Sequence, residues 1–137
     1  MPRQISAQVN QVGPTTGEGV ARDHRVVIDR PVEKGGNNRG PLGGELFLFS
    51  LGGCFLSTLL AAARTRSEEV ADVRIDLAGI VDGSPESFTG IDMKLTGKFS
   101  SLDVMKKLVD IAERGCLVTN TLRRALTISI VLEREDL

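Results

Sequence analysis

The sequence predicts a fold that mixes helices with antiparallel strands, and three observations carry this prediction. Five segments show the apolar–polar alternation or the β-branched composition that is typical of strands. Three other segments have the apolar spacing or the end signals of helices. Two of the strand segments are joined by the turn sequence DGSPES, which favours an antiparallel hairpin.

Length, composition and charge limit the function classes. A chain of 137 residues is most simply one domain over residues 1–137, and it is large enough to bury a core. Its composition, 41% hydrophobic and 26% charged, is that of an ordinary soluble protein. The net charge of −1 and the lack of a lysine- and arginine-rich run argue against a nucleic-acid partner. The N-terminus has no apolar signal-peptide core, so we expect a cytoplasmic protein.

The predicted strands alternate between apolar and polar residues along most of their length. The turn-rich sequence GPTTGEG separates the first strand from the second. In the third strand Val73, Ile75 and Leu77 alternate with charged residues, which predicts one buried and one solvated face. In chain order the strands are expected at Ile5–Val12, His24–Asp29, Val73–Asp82, Ile91–Phe99 and Ile128–Leu132.

Three helices are predicted, at Glu45–Arg66, at Ser101–Arg114 with Ser100 as N-cap, and at about Cys116–Leu126. The first helix carries residues 46–63 without a charge, which is close to the length of a membrane span. It also contains glycines, serines and a threonine, while the remaining chain predicts half-buried sheet. We therefore expect this helix to be buried between its own sheet and a partner subunit rather than in a membrane.

Cys54 lies inside that apolar helix, directly after two glycines, and two interpretations of it are open. Free cysteine is among the most buried residue types, and an apolar environment raises the thiol pKa and makes the sulfur inert. Gly52 and Gly53, however, weaken the helix at this point, by roughly 1 kcal/mol each. That cost is understandable if another backbone or a small substrate approaches Cys54, although tight helix packing would also use glycine.

Cys116 is placed differently, because it follows Gly115 and opens a predicted helix. A helix start favours the thiolate through its unpaired backbone N–H groups, but a half-buried structural residue is an equally simple interpretation. Together the two cysteines could act as attacking and resolving thiols toward a peroxide. Two thiols and one histidine do not supply a closed structural zinc site.

A Cys–His hydrolase is a further alternative. It would need His24, the one histidine of the chain, beside a cysteine and oriented by a third group such as Asn120. No local motif supports that arrangement, and a lone histidine on a strand is more often structural.

Two groups of segments point to a known family. The first is DRP at 29–31, GG at 35–36, GP at 40–41, ELFL at 45–48 and LGGC at 51–54, which includes a long glycine- and asparagine-rich loop. The second is AERGCLVTNTL at 112–122. In this order the two groups resemble the OsmC/Ohr family, which comprises osmotically inducible protein C and the organic hydroperoxide resistance proteins. The order of predicted elements agrees with that family over nearly the whole chain.

The resemblance implies an α+β fold in which antiparallel sheets wrap around long central helices in an intertwined homodimer. It also implies a cysteine-based, thiol-dependent peroxidase that reduces organic hydroperoxides or hydrogen peroxide in oxidative-stress defence, with no metal or bound cofactor. In such an enzyme Cys54 is the attacking thiolate and Cys116 the resolving thiol. An arginine, Arg22 or Arg25, favours the thiolate and Glu45 orients it. A dithiol or a small thiol recycles the disulfide, and neither a membrane nor a nucleic acid takes part.

Departures from the peroxidase pattern keep a second function open. Gly44 stands where the peroxidase branch has a glutamate, and Glu45 fits the broader OsmC-like branch. Gly43 and Leu117 occupy positions where the family usually has prolines. These differences favour the alternative of an OsmC-like dimer that binds a small apolar or thiol-reactive ligand at its interface without turnover.

Overall fold

The computed structural model describes residues 1–124 and residue 129, which form five strands and three α-helices. The prediction of a last strand at Ile128–Leu132, apart from residue 129, and the end of the predicted third helix lie outside the described residues. The strands are β1 (Gln8–Gln11), β2 (Gly17–Ala21), β3 (His24–Ile28), β4 (Val70–Asp82) and β5 (Ser87–Phe99), and the helices are α1 (Gly43–Thr65), α2 (Leu102–Gly115) and α3 (Leu117–Leu122).

The chain divides into two compact units, Met1–Ser50 and Leu51–Leu137, which are described separately. Helix α1 begins in the first unit and ends in the second. The mixture of helices and antiparallel strands predicted from the sequence is confirmed, and the assignment of a single domain to residues 1–137 stays a prediction.

In the first unit β1, β2 and β3 form an antiparallel sheet in that order. The prediction that GPTTGEG is a turn is wrong for its last three residues, which begin β2. Glycine at position 17 is useful within this strand: a Cβ there would lie 3.3 Å from the Cγ1 atom of Val9 on β1. The first strand begins at Gln8 and not at Ile5.

A buried carboxylate organises the loop that follows β3. Asp29 is 3% exposed, and its Oδ1 accepts hydrogen bonds from the Thr15 hydroxyl (2.9 Å) and the Arg30 N–H (2.7 Å). Its Oδ2 accepts from the Thr16 hydroxyl (3.0 Å) and the Arg39 N–H (3.3 Å). The turn before β2 and the glycine-rich loop after β3 are therefore tied to one side chain.

Burial raises the pKa of Asp29, but its donors outweigh that effect. The N–H of Arg30, the hydroxyls of Thr15 and Thr16 and the N–H of Arg39 all favour the charged carboxylate. The pKa of Asp29 is consequently lowered to about 2.

In the second unit β4 and β5 form the predicted antiparallel hairpin. The pairing runs from Val70 opposite Phe99 to Asp82 opposite Ser87. An irregularity in the register between Ala71 and Arg74 interrupts β4 near its start. A strand bulge of this kind increases the local twist and bend of a hairpin.

Helix α2 is amphipathic, as its sequence predicts, but its N-cap is Ser101 rather than Ser100. The Ser101 side chain accepts a hydrogen bond from the Val104 N–H at 3.1 Å. Such a cap satisfies one of the backbone donors that the first helical turn leaves unpaired.

The core of the second unit lies where α1 and α2 pack together. Leu59 of α1, Leu108 of α2 and Cys116 are each fully buried. Residues of the β4–β5 hairpin, among them Ile75 and Leu95, pack against this core. Its remaining buried members are Phe55, Ala62, Ala63, Met105 and Ala112.

Much of α1 is apolar and exposed. Phe47, Phe49 and Leu60 are 37%, 58% and 40% exposed, and a third of the most apolar 18-residue window is buried. The length and composition of α1 would allow it to cross a membrane. These two properties are only weak evidence of a membrane span, because core helices of soluble proteins share them.

We predict that Asp29→Asn lowers the melting temperature at neutral pH, because an amide places a donor where the carboxylate accepts. The folded pKa of about 2 is below the unfolded value of about 3.9, so the unfolded state binds more protons between the two. The stabilisation is therefore present above about pH 4 and is lost as the pH falls toward about 2. Thermal unfolding across this range measures it.

Asp23→Asn is the matched control, because Asp23 is an exposed carboxylate in the turn between β2 and β3. We expect this variant to melt like the wild type. A difference between Asp29→Asn and the wild type that stays constant from neutral to strongly acidic pH would contradict the account.

Candidate active site

Cys116 lies at the junction of α2 and α3, as its position after Gly115 predicts. It is the N-cap of α3, and its Sγ accepts a hydrogen bond from the Thr119 N–H at 3.4 Å. The side chain is fully buried. The sulfur therefore serves the helix as a serine or aspartate oxygen does in an ordinary N-cap.

Two polar contacts brace this junction. The Asn120 side-chain amide donates to the Arg114 carbonyl oxygen at 3.0 Å. Arg123, just after α3, pairs with Glu113 of α2, with 2.5 Å between Nη2 and Oε1. The start of α3 is thus tied to the end of α2, which fixes the position of Cys116.

Cys54 lies in α1 and is partly buried against the same core. Its side chain is near enough to that of Cys116 to lower the pKa of the Cys116 thiol. One turn further along α1, a Cβ at position 115 would lie 3.1 Å from the Cγ2 atom of Thr58. Glycine at this position lets the end of α2 come close to α1, and Cys54 packs against the same buried cluster as Cys116.

The two glycines before Cys54 have different surroundings. A Cβ at position 52 would lie 2.6 Å from the Cδ1 atom of Leu77, so Gly52 makes room for strand β4 of its own chain. A Cβ at position 53 would meet no atom within 4 Å. Gly52 therefore has a packing role, and the expectation that it leaves space for a substrate or a second chain is corrected at this position.

The pKa of Cys116 is lower than that of an ordinary cysteine. Burial raises this pKa, but the nearby donors lower it by more than burial raises it. These donors are the side chain and the N–H of Thr119, the side chain of Cys54 and the N–H of Val118. All of these groups are uncharged donors, so hydrogen bonding alone favours the thiolate of Cys116.

The Thr119 hydroxyl has an unusual environment. Thr119 is 7% exposed, and within the described part of the chain its Oγ1 makes no hydrogen bond of standard geometry. The same side chain nevertheless lowers the pKa of Cys116. The hydroxyl proton is free to rotate about the Cβ–Oγ1 bond, so this side chain could donate to the sulfur when Cys116 ionises.

Both cysteines are reduced, and they differ in access. A reagent from solvent can reach the partly buried Cys54 more easily than the fully buried Cys116. An accessible thiol beside a buried sulfur that favours the thiolate is an arrangement that can convert an oxidised cysteine into a disulfide.

The remaining predicted site residues lie in the first unit. Oε1 of Glu45 accepts a hydrogen bond from the Leu42 N–H at 2.8 Å, which caps α1 in the manner of a capping box. Arg22 lies in the turn between β2 and β3 with φ at +54°. Arg25 of β3 pairs with Glu18 of β2, with 2.6 Å between Nη1 and Oε1. Their roles toward Cys54 stay predictions.

The residues of the hydrolase alternative are also located. His24 is exposed at the start of β3. Asn120 lies in α3, where its side-chain amide braces the helix junction. In residues 1–124 and 129, no group of three or more His, Cys, Asp or Glu residues could hold a metal ion.

Sequence reasoning missed two residues of structural importance. Thr119 stands three positions after Cys116, and a Cys-x-x-Thr pattern at a predicted helix start is the signal that could have revealed it. Asp29 belongs to the DRP segment, but the donors to its buried carboxylate include the Thr16 hydroxyl and the Arg39 N–H. These donors are distant in sequence, so no local pattern predicts the contacts.

Comparison with known proteins supplies the family. A family model for OsmC-like proteins matches residues 35–131. No curated protein matches the sequence. Among solved structures, an OsmC-like protein of Mycoplasma pneumoniae is similar, with a TM-score of 0.75, 16% identity, and coverage of 90% of this chain and 89% of that one.

Two further structures show the same fold. An OsmC-like protein of Vibrio cholerae gives a TM-score of 0.75 at 14% identity and covers 88% of this chain and 94% of its own. An organic hydroperoxide resistance protein OsmC of Legionella pneumophila gives 0.65 at 21% identity, with coverage of 88% and 90%. With a family model that matches most of the sequence, the chain belongs to the OsmC-like protein family.

Proposed function

We propose that this chain is a thiol-dependent peroxidase that reduces organic hydroperoxides, or hydrogen peroxide, in cytoplasmic oxidative-stress defence. The observation that carries the proposal is the pair of reduced cysteines, one accessible and one buried, whose side chains interact. The name of the similar Legionella pneumophila protein, organic hydroperoxide resistance protein, supports this substrate class.

The first step takes place at Cys54, because its sulfur is the more accessible of the two. The thiolate attacks the terminal oxygen of the hydroperoxide, an S–O bond forms, and the O–O bond breaks. The alkoxide leaves and takes up the proton that Cys54 has lost, which gives an alcohol. Cys54 is oxidised to a sulfenic acid.

The second step takes place between the two cysteines. The thiolate of Cys116 attacks the Cys54 sulfur, an S–S bond forms, and hydroxide leaves and is protonated to water. An external dithiol or small thiol then reduces the disulfide by thiol–disulfide exchange and restores both thiols.

An arginine completes the proposed site. A guanidinium favours the thiolate form of a nearby cysteine, and Arg22 and Arg25 are the candidates, with Glu45 orienting the one that acts. Arg25 has Glu18 as its partner within the sheet, and Glu45 uses one oxygen to cap α1. Because Arg22 has no ion pair among the described residues whereas Arg25 has one, Arg22 is the stronger candidate.

We also propose that the protein is a homodimer in which α1 is covered by the second copy. The exposed apolar side chains of Phe47, Phe49 and Leu60 support this, since large apolar surfaces of this kind mark association sites. Light scattering should give about twice the chain mass of 14.7 kDa. A mass of one chain at micromolar concentration would contradict the dimer.

The peroxidase predicts distinct defects in the two cysteine variants. We expect Cys54→Ser to lose the rapid consumption of cumene hydroperoxide, because it lacks the attacking sulfur. We expect Cys116→Ser to react once and to accumulate a Cys54 sulfenic acid that a dimedone-type reagent traps. Stopped-flow peroxide consumption together with mass spectrometry of the trapped protein provides the measurement.

Arginine variants belong in the same assay. If Arg22 activates Cys54, Arg22→Gln slows sulfenic acid formation while Arg25→Gln keeps most of the rate, and the reverse result moves the role to Arg25. Peroxide consumption by Cys54→Ser at the wild-type rate would refute Cys54 as the attacking thiol, and a wild type that consumes no peroxide above the buffer rate would refute the peroxidase. The latter result would leave the alternative of a ligand-binding dimer, which the departures at Gly43, Gly44 and Leu117 favour.

A further inference from the structure

Thr119 presents two donors near one sulfur. Its N–H donates to Cys116 Sγ at 3.4 Å, and its hydroxyl is buried without a hydrogen-bond partner among the described residues. A buried hydroxyl that makes no hydrogen bond costs free energy, and donation to the Cys116 thiolate would offset that cost. Capping α3 would need only the N–H contact, which every residue type except proline could supply at position 119.

Among the described residues, the groups that lower the pKa of Cys116 are all uncharged. Cys54 interacts with it from α1. On α2, Glu113 is paired with Arg123, and Arg114 is exposed. Burial opposes a charge on the Cys116 sulfur, so the uncharged donors around it must provide the compensation.

We propose that Thr119 is a positioning residue for the second half of the peroxidase reaction, in which it holds Cys116 as the nucleophile that closes the disulfide. This inference rests on the proposed function. Thr119 does not touch the peroxide in this account, and it acts on the Cys116 sulfur alone.

The role matters because the sulfenic acid on Cys54 has two fates. Attack by the Cys116 thiolate forms the S–S bond and releases water. Attack by the Cys54 sulfenate on a second hydroperoxide forms another S–O bond, breaks another O–O bond, releases a second alcohol and leaves a sulfinic acid. Thiols do not reverse the sulfinic acid, so the rate of disulfide closure decides how often Cys54 is lost.

The different environments of Cys116 and Cys54 suit them to different steps of the reaction. Cys116 is fully buried, so its ionisation does not expose a second nucleophile to the peroxide. Cys54 is the more exposed of the two within one chain, so the oxidation takes place there. Thr119 therefore affects closure and leaves the first step to Cys54 and its activating arginine.

The test compares Thr119→Val, which removes the hydroxyl and keeps the shape and the N–H, with Thr119→Ser, which retains the hydroxyl. After one equivalent of cumene hydroperoxide, quenched-flow mass spectrometry follows the sulfenic acid, the disulfide and the sulfinic acid. For Thr119→Val we expect disulfide closure several-fold slower below the thiol pKa, because the pKa of Cys116 rises and its thiolate fraction falls, while the greater nucleophilicity of the more basic thiolate offsets part of that loss. Sulfenic acid should form no more slowly than in the wild type, and excess peroxide should give more sulfinic acid.

Three further readings complete the experiment. The pH profile of closure in Thr119→Val should shift to higher pH, and Thr119→Ser should restore both the rate and the profile. Thr119→Ala tests the same loss if the valine variant does not fold. Thr121→Val is the matched control, because the Thr121 hydroxyl donates to the Leu117 carbonyl oxygen in the same helix and is exposed. That variant should behave as the wild type.

Each other outcome overturns the inference in a recognisable way. Equal closure rates in Thr119→Val and the wild type would refute the role of Thr119 and leave the peroxidase intact. Equal slowing of both steps, without rescue by serine, would show that Thr119 is merely structural. If the wild type itself forms no sulfenic acid and Cys54→Ser consumes peroxide equally fast, the proposed function fails, and the inference fails with it.

Discussion

The packing of the α2–α3 junction against α1 is the contact on which the other features depend. It buries Cys116 completely, together with Leu59 and Leu108, and glycine at position 115 permits the close approach to Thr58. Side chains of both helices brace the short junction and so hold Cys116 in the core that Cys54 also contacts. The position of both cysteines at one buried cluster is thus a consequence of core packing.

Burial of a sulfur in this position has an electrostatic consequence. A thiolate in an apolar core is unfavourable unless donors surround it, and the start of α3 supplies them through Thr119 and Val118. Hydrogen bonds to a charged acceptor are stronger than those between neutral groups, so ionisation of Cys116 also strengthens the cap of α3. Helix capping and thiol chemistry are therefore coupled at one atom.

Sequence patterns predicted the long elements well, because α1, α2 and the β4–β5 hairpin each bury one regular face. They failed where tertiary contacts override local signals. Glycines at 17 and 19 suggested a turn, yet they lie in β2, where Gly17 makes room for Val9. The cysteines could be found from the family resemblance. The role of Thr119 could not, because it depends on a hydroxyl buried beside a sulfur, and burial of a single polar atom has no periodic signature.

The central claim is that Cys54 and Cys116 form one redox pair within a single chain. Non-reducing peptide mapping of the wild type after one equivalent of hydroperoxide tests it most directly. The account predicts a mass loss of two hydrogens and a linked peptide pair that contains Cys54 and Cys116 of the same chain. Oxidation that stops at a sulfinic acid on Cys54, or a disulfide that joins Cys54 residues of two chains, would contradict it.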